Sequence, residues 1–183
     1  MKAWVLCLAL LGAGAARAQD WKPLTAGELT VSFPGDATAS TRTNQTQVGE
    51  ATTQVYQLDQ EKEHQEVFSL SVTDYPAEAL KKAVPGKLLE NARDGLVAHS
   101  GGTLEKDVAV TLDSGEPKKK WPGRELVLRT EKGQLMNVRL FLAGSRLYVL
   151  MVVRGSDAVS DADYLKFADS FKLKPAPKPG KGK

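Results

Sequence analysis

Residues 136–153 read MNVRLFLAGSRLYVLMVV, and this stretch constrains the fold more than any other. Met136, Val138, Leu140 and Leu142 alternate with Asn137, Arg139 and Phe141. After Ala143-Gly144-Ser145-Arg146 the alternation resumes through Leu147, Val149, Met151 and Val153. A period of two puts every second side chain on one face of an extended strand. A short glycine-containing turn between two such segments is a hairpin signature. The chain must therefore be built around antiparallel sheet.

The same periodicity recurs elsewhere. Leu29, Val31 and Phe33 alternate with Thr30 and Ser32 and stop at Pro34-Gly35. A polar, threonine-rich stretch from Ala37 to Gln47 reads as an exposed or edge strand. Ala51–Leu58 and Phe68–Val72 add two more, the latter ending at Tyr75-Pro76. Val108, Val110 and Leu112, then Leu126 and Leu128, precede the long hairpin. Two segments break the pattern. From Pro85-Gly86, the residues Leu88, Leu89, Ala92 and Leu96 recur at helical spacing up to Gly101-Gly102, and Pro85 suits a first turn. Ala77–Ala83 could supply a short helical turn before it. A last helix buries Tyr164, Phe167, Ala168 and Phe171, and Ser160 with Asp163 resembles its capping box. The expectation is an α+β domain in ββββαββββα order, with a mainly antiparallel sheet of about 6–8 strands and two main helices packed on it.

The ends carry a different signal. Met1-Lys2 is positive, Ala3 to Ala15 is apolar or small, and Ala16-Arg17-Ala18 has small residues where a signal peptidase reads. The apolar run is too short to span a bilayer, so residues 1–18 read as an export signal, leaving no transmembrane segment in the mature chain. Cys7, the only cysteine, lies inside that run behind Leu6, which does not suit lipidation. The mature chain then has neither disulfide nor thiolate. The formal charge of +3 falls to +1 without Lys2 and Arg17. It falls to −3 once Lys174, Lys178, Lys181 and Lys183 of the tail are set aside. A nucleic-acid-binding domain has the opposite balance. The tail from Lys174 to Lys183, KPAPKPGKGK, has nothing to bury and reads as disordered, leaving residues 19–173 as one α+β domain.

Chemistry-bearing motifs are few. His64 sits in a charged turn and His99 at the end of the first helix beside Ser100. No G-x-S-x-G accompanies that pair, and no H-E-x-x-H, phosphate loop or dinucleotide pattern occurs. Asp157, Asp161 and Asp163 precede the last helix without the glycine and distant glutamate of a calcium loop, so they suit the helix dipole. Asn44-Gln45-Thr46 formally matches a glycosylation acceptor. No catalytic residue, cofactor or metal ligand is expected. The one candidate binding patch is Lys118, Lys119, Lys120 and Trp121, in KKKWPGREL. Pro122-Gly123 reads there as a turn leading into a strand. The lysines then solvate a loop or protect an edge, or with Trp121 they grip an anionic partner.

The second half, GGTLEKDVAVTL, PGREL, VRLFLAGSRLYVLMVV and DADYLKFADSFKL, together with an early FPG, resembles exported bacterial proteins of the PsbP-like α/β fold superfamily. The likeness spans about residues 27–173. It implies a fold used for binding and assembly by photosynthetic extrinsic subunits, Ran-binding proteins and envelope proteins, and no family catalytic set maps onto this chain. The expected function is a non-enzymatic, exported accessory or binding module of the cell envelope, periplasmic or secreted. Its partner would be another envelope protein or polymer. The alternatives are a cofactor-free hydrolase using scattered carboxylates and a polymer tether acting through the basic tail.

Overall fold

The structure, a computed structural model, describes residues 20–46, 49–60, 66–80, 84–113, 116, 119–155 and 161–174. The proposed export signal and the tail beyond Lys174 lie outside them, as do His64, Asp157, Ser160 and Lys118.

Among the described residues, ten strands and three helices follow one another as β1 (Lys22–Ala26), β2 (Leu29–Phe33), β3 (Thr38–Thr46), β4 (Gly49–Asp59), β5 (Glu66–Asp74), α1 (Ala77–Leu80), α2 (Pro85–Ser100), β6 (Thr103–Asp113), β7 (Lys120–Arg129), β8 (Leu135–Ala143), β9 (Arg146–Arg154), α3 (Ala162–Ser170) and β10 (Lys172–Leu173). The eight expected strands and two main helices appear in the expected order. They do not form a single sheet. Seven strands form one antiparallel sheet, β3-β4-β5-β9-β8-β7-β6, and β1-β2-β10 form a second, smaller one. The sequence did not announce β1 because Lys22-Pro23-Leu24-Thr25-Ala26 has no run of large alternating residues. It is folded back on β2 by a turn at Gly27, whose φ of 58° suits glycine.

Both faces of the large sheet are used. On one face, the small sheet and α3 bury Leu29, Val31 and Phe33 of β2 against Phe68, Leu70 and Val72 of β5 and Tyr148, Leu150 and Val152 of β9. Phe167 of α3 lies between Phe33 and Phe68, with ring centroids 4.9 and 5.6 Å away. On the other face, α2 places Leu89 over Leu126, Leu128, Val138, Leu140 and Leu142. The alternation that predicted a half-buried hairpin therefore describes a strand pair buried on both sides.

Two local expectations are corrected. Pro122-Gly123 is not a turn: both residues lie inside β7, opposite Thr111 and Val110. The pairing of β7 with β8 begins only at Gly123, so Pro122 sits where β7 has one neighbour and loses no second ladder bond. Gly123 permits close packing, because a Cβ there would meet the Leu140 carbonyl oxygen at 2.3 Å and the Phe141 ring at 2.5 Å. The start of α3 also differs. Asp161 holds the N-cap position without making a side-chain cap bond. Its carboxylate turns instead to the guanidinium of Arg154 and to Asn137 Nδ2.

Candidate functional site

Among the ion pairs of the described residues, several are grouped where they join elements together. On the α3 side of the sheet, Lys106 Nζ and Arg139 Nε share Glu125 at 2.8 and 2.7 Å. Arg139 also reaches Asp169 of α3 and lies over the Tyr164 ring. Nearby, Arg154 is 1% exposed and fixes Asp161 at the head of the helix. Beneath α2, Asp107 accepts from Arg93 of that helix at 2.9 Å and from Arg124 of β7 at 2.7 Å. At the end of the β8–β9 hairpin, Arg146 Nη1 lies 2.6 Å from Glu28, and the Tyr148 hydroxyl donates to the same carboxylate at 2.8 Å.

These groups are built as fasteners. The guanidinium of Arg124 leads in holding the Asp107 carboxyl below its usual range, and that of Arg154 does the same for Asp161. Burial pushes Glu125 up, but the hydrogen bonds from Lys106 and Arg139 outweigh it and the net shift is downward. Burial drives Tyr148 and Tyr164 upward, so both phenols stay protonated. Among the described residues, no three histidine, aspartate or glutamate side chains converge on a point that could hold a metal ion. Ser100 donates to Val97 O within its own helix end, and the adjacent His99 is exposed.

The basic patch resolves residue by residue. Lys119 Nζ stands 3.5 Å from Glu116 and 4.5 Å over the ring of Trp121. Lys120 is exposed and opens β7. Trp121 is half-buried and packs against the core on the α3 side, opposite Leu112. The indole is thus a wall of the core with one ammonium capping it. A hollow of about 140 Å³, lined in part by Leu24, Phe33, Lys22 and Asp36, has its two charged groups paired at 2.6 Å. It is well below the roughly 300 Å³ of a typical small-molecule site.

The sheet itself offers a broader surface. On the face covered by α2, the helix packs over β7 and β8. Further across, Val55 of β4, Val67 of β5 and Val153 of β9 are half-buried and join neither core cluster. Register places Val67 opposite Val153, Ser69 opposite Met151, and Ser71 between Val55 and Val149. Thr53 and Thr73 bond through their hydroxyls at 2.9 Å along the same face. The result is a floor of small hydroxyl residues, Ser69 buried among them, and half-buried aliphatic ones. Sequence reading missed it because Ser69, Ser71 and Thr73 look like the solvent side of an alternating strand, and only the sheet order sets Val67 beside Val153.

A large sheet covered on one face by a small sheet and α3 and on the other by α2 makes a PsbP-like α+β fold, as the sequence resemblance implied. No protein-family model and no curated protein matches the chain. Among solved structures, the solution structure of cyanobacterial PsbP (CyanoP) from Synechocystis sp. PCC 6803 matches it with a TM-score of 0.51 at 13% identity, covering 90% of this chain and 98% of that one. The likeness is one of fold. Among the described residues, no helix is long and apolar enough to cross a membrane.

Proposed function

We propose that the chain is an exported, non-enzymatic accessory module of the cell envelope that binds another envelope protein or polymer through the open part of its large sheet. One observation carries the reading: Val67 of β5 and Val153 of β9 face one another in register, are only partly buried and join neither apolar cluster. The ion pairs support it. Asp107, Glu125 and Asp161 are all held down by cations on neighbouring elements, as carboxylates that fasten a fold are. The sequence of residues 1–18 supports export, with the mature chain starting at Gln19.

The test is a photo-crosslinking side chain placed at Val67, and separately at Thr111 on the far edge strand β6, with the full chain expressed in an exporting host. Adducts are expected from Val67 and not from Thr111, on a protein whose intact mass begins at Gln19. Equal crosslinking at both positions overturns the open face, and a retained Met1 overturns export.

A further inference from the structure

The two edges of the seven-stranded sheet are protected very differently. Edge strand β6 has a register break between Leu104 and Lys106 and carries Glu105, Lys106, Asp107 and Asp113. Bulges and charges of this kind stop another strand from adding. Edge strand β3 has no bulge and a single charge, Arg42. Its nine residues, Thr38-Ala-Ser-Thr-Arg-Thr-Asn-Gln-Thr46, pair with β4 in unbroken register and include no proline and one charge. Every described side chain on β3 is exposed, and among the described residues no strand pairs with its outer edge. Threonine and serine favour extended backbone and hydrogen-bond across strands.

From this juxtaposition we propose that the free edge of β3 is a strand-addition site, and that its occupant is an extended segment of a partner protein with a carboxylate side chain opposite Arg42. Main-chain hydrogen bonds to the outward N–H and C=O groups of β3 supply the binding, and the cross-strand charge pair selects the segment. Arg42 supplies the charge argument. It has no ionic partner among the described residues, and its cross-strand neighbours Thr53 and, beside it, Val55 are neutral. The same residue argues against a second copy of this chain. Arg42 is the central residue of β3, so twofold antiparallel pairing along the whole strand sets it directly opposite its own copy. Like charges so placed repel. The proposal rests on the reading of the chain as a binding module, but not on the open sheet face: its main-chain bonds are made at the outer edge of β3, and only the Arg42 side chain borders that face, beside Thr53.

The probe is a capped synthetic peptide of the length of β3, alternating threonine and valine around one central glutamate; its control has lysine at the centre. Titration into the isotope-labelled protein should shift backbone amide resonances of β3 and β4 and protect alternate β3 amides from exchange. The glutamate peptide should bind about fivefold more tightly than the lysine peptide, and Arg42→Glu should reverse that order without changing the fold. Absence of β3 shifts at millimolar peptide, shifts centred on Val67 and Val153, or equal binding of the two peptides overturns the proposal. So does concentration-dependent dimerisation that masks β3. Crosslinking from Val67 reports separately on the open face, so either idea can fall while the other stands.

Discussion

At the scale of single residues, Asp107 and Gly123 show how the large sheet is fastened and closed. Asp107 is held ionised by Arg124 and Arg93, so protonation must break those bonds. Its carboxyl is more acidic in the folded chain than in the unfolded one, where the ordinary value is about 3.9. The stabilisation is therefore fully present above about pH 4 and is lost as pH falls through the lower folded value. Asp107→Asn should cost on the order of 1 kcal/mol at neutral pH, because solvent reaches both guanidinium groups. Urea denaturation across pH 2–7 should show this gap closing towards the acid end. A gap constant over that range means the pair contributes by shape alone. Gly123→Ala tests packing in place of charge. The added methyl meets a backbone carbonyl and the Phe141 ring within a fully paired ladder. A loss of about 1–3 kcal/mol is expected from overpacking, and an unchanged denaturation midpoint would show that β7 and β8 can separate there.

At the scale of elements, the sequence announced whatever was long and regular. β8 and β9 were legible because their alternation runs through nine residues each, and α2 because it is bounded by Pro85 and Gly101, the latter at φ 60°. Strand β1 and the true start of α3 were not legible. The first depends on a tertiary partner, and the second on an aspartate drawn away to Arg154. The candidate patch was legible only as composition. KKKW is basic and aromatic, yet the register that turns Trp121 onto the core, opposite Leu112, lies outside any local pattern. This leads to a paired prediction. Replacing Lys118, Lys119 and Lys120 with serine should change stability by no more than about 0.5 kcal/mol, as surface substitutions do. Leu140→Ala removes a side chain that is 0% exposed beneath α2, and should cost about 2–5 kcal/mol. Chemical denaturation of the two proteins side by side checks this. The structural assignment fails if the lysine variant unfolds as readily as the leucine one.

At the scale of the whole molecule, one sheet holds two apolar clusters on opposite faces, so neither α2 nor α3 has a core of its own. Strands β8 and β9 contribute to both clusters through alternate residues, Leu140 and Leu147 to one, Phe141 and Tyr148 to the other. They also pair on both sides, within β5-β9-β8-β7. Opening them requires both clusters to come apart, which amounts to global unfolding. Among the described residues, the edge strand β3 has one neighbour, and none of its described side chains belongs to the buried core. Little apolar burial opposes its release, and opening free energies fall where buried contacts are few. Native-state hydrogen exchange in rising denaturant should separate the two regions. Amides of β8 and β9 should exchange only with the free energy and denaturant dependence of complete unfolding. Those of β3 should exchange through a smaller opening that depends weakly on denaturant, because little surface is exposed. A β3 that exchanged with β8 would place it in the cooperative core. Such a strand would have to be tied down along its outer edge already, leaving no free edge for a partner to pair with.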